Sequence, residues 1–217
     1  MKNNSYLILA IVFLFTFTPP SRAEEEAICS SLETCLEMAK EGNAEAQYIL
    51  AMLYLKEATE IAEENEFEHK TNPRARELYT QHTKWKKEAL DQNYAPAQVY
   101  EGYQQYTKKF IVPEPSLQEQ KDGLQKGAEL FLKAAKQGDR RGQFLRAIAV
   151  AEDDNTSNDI EGYAWMLLAW KQGLRKYPYR PEIPTKPFLD SYKESLSESD
   201  RKEALLLSAE YKTFYSK

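Results

Sequence analysis

One ten-residue pattern returns along the chain, and it fixes more about the fold than any other feature. Met38-Ala-Lys-Glu-Gly42-Asn-Ala-Glu-Ala46-Gln47 superposes on Ala89-Leu-Asp-Gln-Asn93-Tyr-Ala-Pro-Ala97-Gln98 and on Ala134-Ala-Lys-Gln-Gly138-Asp-Arg-Arg-Gly142-Gln143. A fourth copy of its first half is Ala169-Trp-Lys-Gln-Gly173. The copies start 51, 45 and 35 residues apart, a unit in the mid-thirties lengthened twice by insertions. Each copy reads as a helix end with small residues for close packing and a Gly or Asn that tolerates the left-handed turn. A short turn and a new helix opening on a small residue and Gln follow.

Between these blocks the apolar residues keep a helical period. Ala46, Leu50, Leu53 and Tyr54 share a face, as do Trp85 and Ala89, and again Trp165, Leu168 and Ala169. Almost nothing alternates with the period of a strand, so the chain is expected to be all-α. The spacing predicts helices over 31–41, 44–58, 74–91, 95–109, 117–137, 140–152, 158–173, 187–195 and 199–215. The charged stretch from Glu57 to Asn72 is an insertion with partial helical character, and Ile111 to Ser116 is a stiff connector. Tyr177 to Pro187 holds four prolines in eleven residues and is expected to be extended against the last repeat. Ser197-x-x-Asp200 caps a terminal helix whose Leu205, Leu206, Ala209 and Tyr211 are expected to seal the open end of the stack.

These residues resemble the Sel1-like repeat family, relatives of the tetratricopeptide hairpins. Ala46, Leu50, Ala51 and Tyr54 fit the first helix of its pattern. His82, Trp85, Ala89, Leu90 and Asn93 fit the second helix with three substitutions, while Ala134, Ala135 and Gly138, and Gly162, Trp165, Ala169 and Gly173, fit closely. The resemblance covers about residues 31–174 and implies a right-handed α-solenoid of about three hairpins. The domains follow as 1–23, a signal peptide; 24–174, the array with an N-terminal half-repeat; and 175–217, a Pro-rich connector with C-terminal capping helices.

The signal reading rests on Lys2, a twelve-residue apolar run from Tyr6 to Phe17, Pro19-Pro20, and small residues before an Ala23–Glu24 junction. Twelve helical residues span about 18 Å, short of a hydrocarbon core of about 30 Å. An uncleaved anchor is the alternative. No Cys follows the junction directly, which argues against a lipoprotein. Cleavage leaves 27 basic against 34 acidic residues, and this acidic balance without a basic stripe speaks against nucleic acid as a partner.

Export implies an oxidising compartment, where Cys29 and Cys35 favour a disulfide over metal or redox chemistry. Along one continuous helix they would stand about 9 Å apart, beyond reach. A capping box at Ser30-x-x-Glu33 would put Cys29 before the helix and Cys35 in its second turn, so a bridge becomes possible. Two free thiols are the alternative.

Catalytic patterns are absent: no nucleophile elbow, Gly-rich phosphate loop or zinc spacing, and only two histidines. His69, in Glu66-Phe-Glu-His69, could join carboxylates around a cation but reads better as solvated loop. Asp153-Asp154-Asn155 reads as a turn, and His82 takes a small-residue position of the repeat. No metal and no cofactor are expected, and no enzyme.

Departures from the pattern point to a partner surface. Where repeat one has Leu50, the next two have Glu101 and Arg146. Either the helix phase shifts by one residue, moving Tyr100, Tyr103 and Tyr106 inward, or Glu101 and Arg146 pair across adjacent helices in a groove. The tyrosines three apart are core filler in one reading. In the other, Tyr100, Glu101, Tyr103, Gln104 and Arg146 line a groove for a ligand. The family resemblance implies a non-enzymatic adaptor for a protein or peptide of the bacterial cell envelope, periplasmic or else secreted, without stable membrane insertion after signal cleavage. Two rivals remain. One is a binder or hydrolase of envelope glycans or β-lactam-like molecules, a role of relatives with a cysteine pair in each repeat. The other is a structural spacer that self-associates.

Overall fold

The computed structural model describes residues 28–29, 31–64, 72–107, 115–153 and 158–216. The signal segment expected over 1–23, His69, Asp154, Asn155 and most of the connector from Ile111 lie outside them. In chain order the elements are α1 (Leu32–Lys40), α2 (Ala44–Glu64), α3 (Pro73–Asp91), α4 (Ala95–Tyr106), α5 (Leu117–Lys136), α6 (Arg140–Ala151), α7 (Asp159–Lys171), β1 (Lys176–Tyr177), β2 (Arg180–Pro184), α8 (Lys186–Ser195) and α9 (Glu198–Lys212). Helices α2 and α3, α4 and α5, and α6 and α7 pack as antiparallel hairpins, α1 precedes them as a half-repeat, and the stack is an all-α solenoid.

The repeated block builds one kind of turn four times. Gly42, Asn93, Gly138 and Gly173 all have positive φ, between 58° and 91°. At each, the following residue donates its backbone N–H to the carbonyl five residues back: Asn43 to Met38, Tyr94 to Ala89, Asp139 to Ala134 and Leu174 to Ala169, at 3.0 to 3.2 Å. This is the Schellman closure, which consumes helix-end carbonyls and reverses the chain within two residues.

A second feature locks these turns to one another. Gln92 Nε2 donates to Gln47 Oε1 at 2.7 Å, Gln137 Nε2 to Gln98 Oε1 at 2.8 Å, and Gln172 Nε2 to Gln143 Oε1 at 2.9 Å. The acceptor is the buried Gln that opens each first helix, and the donor sits one residue before the left-handed residue of the next turn. Gln47 and Gln143 also donate back to the carbonyls of Ala39 and Ala135. In the first turn the donor position holds Glu41, and among the described residues no first helix precedes it.

Several expectations shift. The cap of α1 is Ser31 with Thr34, one residue beyond the expected Ser30–Glu33 box. Ser31 Oγ accepts from the Thr34 N–H at 3.2 Å, and the Ser31 N–H donates to Thr34 Oγ1 at 3.0 Å. The turn still folds Cys29 back onto Cys35, with Cα atoms 5.1 Å apart and the disulfide formed. Helix α2 runs to Glu64 rather than 58, because Ala58 and Ala62 continue its buried stripe along α3. The Pro-rich segment is not merely extended: β1 and β2 pair as a short antiparallel hairpin.

At the C-terminal end, α9 buries Ala204 and Ser208 and packs Leu207 and Tyr211 on the core. Leu205 and Leu206, expected to seal the stack, face outward, with Leu206 at 74% exposure, and Ala209 is exposed too. The phase of the helix explains this: 204, 207, 208 and 211 form one stripe, and 205, 206 and 209 fall outside it. Tyr211 stacks on Trp165 at 4.1 Å, while α8 is held by the Tyr192 hydroxyl donating to the Ala147 carbonyl at 2.5 Å.

The turns make a differential prediction. An alanine at Gly42 meets nothing within 4 Å and carries only left-handed strain, whereas at Gly138 its Cβ would also press on the Tyr215 ring. Gly42→Ala should cost about 1 kcal/mol and Gly138→Ala about 2 to 3 kcal/mol in urea unfolding. Equal losses would show that Tyr215 contributes nothing to the end of the array.

Candidate functional site

The face across α2, α4 and α6, the first helices of the hairpins, carries the residues singled out from the sequence. Tyr100 is buried, at 2% exposure, with its ring edge against His82 and its hydroxyl accepting from Gln104 Nε2 at 2.8 Å. It is core, as one of the two readings had it, and not an open lining residue. Tyr103, Gln104 and Tyr106 are half-buried.

Glu101 and Arg146 do not pair with each other. Glu101 takes Lys86 of α3 at 2.8 Å and also accepts from Gln105. Arg146 takes Glu161 of α7 through Nε at 3.1 Å and Nη2 at 2.8 Å, and Glu161 also accepts from Trp165 Nε1. Their side chains are 15% and 21% exposed, so neither charge is left alone in the interior and each is neutralised by a helix packed beside its own. Burial works to raise the Glu101 carboxyl, and the hydrogen bonds from Lys86 and Gln105 outweigh it, leaving it below the ordinary carboxylate range. Lys86 also donates to Gln104 Oε1 at 3.1 Å, so Tyr100, Glu101, Gln104 and Lys86 form one network.

The sequence did not single out Tyr48, Asp139 and Arg141, which lie on the same face. Asp139 caps α6, accepting from the N–H groups of Arg141 and Gly142, and holds the Arg141 guanidinium in a fork at 3.2 and 2.7 Å. Burial works to raise its carboxyl, and the charge and hydrogen bonds of Arg141 hold it below the usual range. Burial pushes the Tyr48 phenol up to about 12.

Over this face lies the β1–β2 hairpin. Tyr179 stacks on Tyr103 with ring centroids 3.9 Å apart, and Tyr177 meets Phe144 of α6 edge-on at 5.2 Å. The expectation that this segment lies against the last repeat was too narrow, since its tip reaches back to α4. The two tyrosines flanking Pro178 were the available signal, because proline favours a tight turn and Pro178-Tyr179 is the turn that carries both rings to this face. No group of His, Cys, Asp and Glu side chains among the described residues could hold a metal ion, and no described helix is long and apolar enough to cross a membrane.

No protein-family model matches this chain, and no curated protein matches it. Among solved structures it is similar to the crystal structure of c5321, a protective antigen present in uropathogenic Escherichia coli strains and displaying an SLR (Sel1-like repeat) fold. The two are 19% identical with a TM-score of 0.51, over 85% of this chain and 41% of that one. The chain thus spans about two fifths of that protein's length. At this identity the likeness shows the fold, that of a Sel1-like repeat array.

His82 gives the face a pH signature. It is buried, its Nδ1 lies 2.9 Å from the Ala51 carbonyl, and burial lowers its pKa to about 4. The folded state therefore prefers the neutral ring. The stability it contributes is full above an unfolded pKa of about 6.5 and is lost as pH falls toward 4. Between pH 7 and pH 4.5 this loss should be about 2 to 3 kcal/mol, and His82→Ala should remove it, flattening the pH dependence of the urea midpoint. An unchanged slope would show that the ring is protonated in the fold.

Proposed function

We propose that this chain is an exported, non-enzymatic adaptor of the Sel1-like repeat type. It binds a segment of another protein, or a peptide, across α2, α4 and α6 in the bacterial cell envelope, in the periplasm first and outside the cell second. The observation that carries the reading is the α2–α4–α6 face itself. It already accommodates the tip of a β-hairpin whose aromatic side chains, Tyr179 and Tyr177, seat on Tyr103 and Phe144. A repeat array can receive a protein segment in the same way, with rigid aromatic platforms giving area and neighbouring polar groups giving register. The Cys29–Cys35 disulfide supports an oxidising compartment and thus the reading of residues 1–23 as a signal peptide, with 24–174 as the array and 175–217 as connector and caps. Tyr103, Gln104 and Arg146 are the residues assigned to partner contact; Tyr100 and Glu101 support them from beneath.

A photo-crosslinking residue placed at Gln104, compared with one at the exposed Glu88, tests this in intact cells. The expected result is an adduct of one defined mass at 104 only, lost on Tyr103→Ala. Adducts at both positions, or at neither, would contradict a partner on this face. An adduct of twice the chain's own mass would replace the adaptor by a self-associating spacer.

A further inference from the structure

The β1–β2 hairpin is stitched at its base and inserted at its tip. At the base, the Thr185 N–H donates to the Arg175 carbonyl and Thr185 Oγ1 to the Leu174 carbonyl, both at 3.0 Å, with Leu174 and Thr185 buried. Between these anchors the pairing is short: Lys176 faces Pro184 and Tyr177 faces Arg180, with an irregular register between them. A two-stranded ribbon of this size has little stability of its own, so its place is set by what its tip touches.

The tip delivers one side chain into ground belonging to all three hairpins. The Tyr179 ring lies on Tyr103 of α4 with an interplanar angle of 26°. Its phenol comes under the electrostatic influence of Tyr48 of α2, Tyr100 of α4, and Asp139 and Arg141 at the start of α6. Those groups are positioned without the hairpin: Asp139 is fixed by the α6 cap, Arg141 by Asp139, and Tyr100 by Gln104. An aromatic platform beside a preset polar pocket suits a tyrosine, whose apolar body and polar tip want different surroundings. Tyr179 is delivered from the two-residue turn Pro178-Tyr179 between β1 and β2, and Pro178 and Pro181 limit the conformational entropy lost on docking.

We propose that the socket formed by Tyr48, Tyr103, Asp139 and Arg141 is a tyrosine-recognition site for a proline-flanked turn of a partner protein, and that Tyr179 of the chain's own hairpin fills it as a built-in competitor. The inference rests on the partner-binding reading of this face and names the chemistry recognised there. A partner segment enters only when the hairpin tip lifts, swinging on the Leu174 and Thr185 anchors. The apparent affinity of the closed protein is therefore reduced by the fraction of molecules that are open. Segments lacking the tyrosine are refused twice, since they neither fill the polar pocket nor compete with the resident ring.

The test is a fluorescein-labelled peptide of sequence Lys-Tyr-Pro-Tyr-Arg-Pro-Glu, matching residues 176–182, titrated by anisotropy into the full mature chain and into its Tyr179→Ala variant. The variant should bind at least tenfold more tightly than the wild type, which corresponds to a hairpin closed in about nine molecules of ten. The same peptide with Phe at its second tyrosine should lose at least fivefold on the variant. Equal affinity for the two proteins would overturn the competitor role. No binding to the variant, or equal binding of the Phe peptide, would overturn tyrosine recognition. If Tyr179→Ala has lost its helical far-ultraviolet signal, Tyr179→Phe takes its place, with an expected gain of two- to fivefold and no gain counting against the proposal. Failure here with a photo-adduct still formed at position 104 removes the socket alone. Failure of both removes the partner reading as well.

Discussion

The amide–amide hydrogen bond between Gln98 and Gln137, with its counterparts Gln47–Gln92 and Gln143–Gln172, is the contact on which the stack depends. The two helices of a hairpin can pack against one another in several registers. A rung from the start of a first helix to the end of its own partner helix selects one register by joining successive turns along a single edge. Burial makes the choice sharp, since Gln47, Gln98 and Gln143 are enclosed and an unmet amide there would cost about 1 to 3 kcal/mol. The rungs also need the left-handed turn beside them. A chain that reversed less tightly than at Asn93 or Gly138 would carry the donor Gln away from its acceptor.

The same logic extends into the C-terminal region and explains why it closes the array. Gln172 gives a further bond to the Tyr215 hydroxyl at 3.1 Å, so the last rung is continued by the tail. Tyr215 in turn lies on Gly138, and Lys136 sits over the Phe214 ring. The connector between α7 and α8 becomes a hairpin because its ends are tied by Thr185 while its tyrosines find Tyr103 and Phe144. Closure of the end and occupation of the first-helix face are thus two results of one chain path. The charges that interrupt the repeat pattern fit this scheme, each met by a neighbouring helix: Glu101 by Lys86, and Arg146 by Glu161.

Much of this was legible in the sequence for a physical reason. The turns follow from local chemistry, where Gly or Asn in a fixed frame of small residues has few other uses, and the helices follow from the apolar period. The disulfide was legible as a possibility because a capped helix start bends the chain, although the cap is Ser31. The rungs were not read, although Gln92, Gln137 and Gln172 stand in plain repetition. Their partners lie 29 to 45 residues earlier, and nothing local marks an amide as paired at that range. The network on the first-helix face was half legible. Tyr103 and Gln104 were found from composition, while Tyr48, Asp139 and Arg141 look like ordinary turn and helix-start residues until the hairpin brings Tyr179 to them. Leu205 and Leu206 misled because hydrophobicity was counted without fixing the helix phase.

The claim that the rungs set the register is tested most directly by a double-mutant cycle on one of them. Gln98→Ala, Gln137→Ala and the double variant would be compared by urea unfolding with the unaltered chain. A coupling of about 1 kcal/mol between the two positions is the expected result, since each side chain has lost its value once the other is gone. Additivity within about 0.3 kcal/mol would contradict the account, leaving helix packing alone to hold the two helices of each hairpin in register.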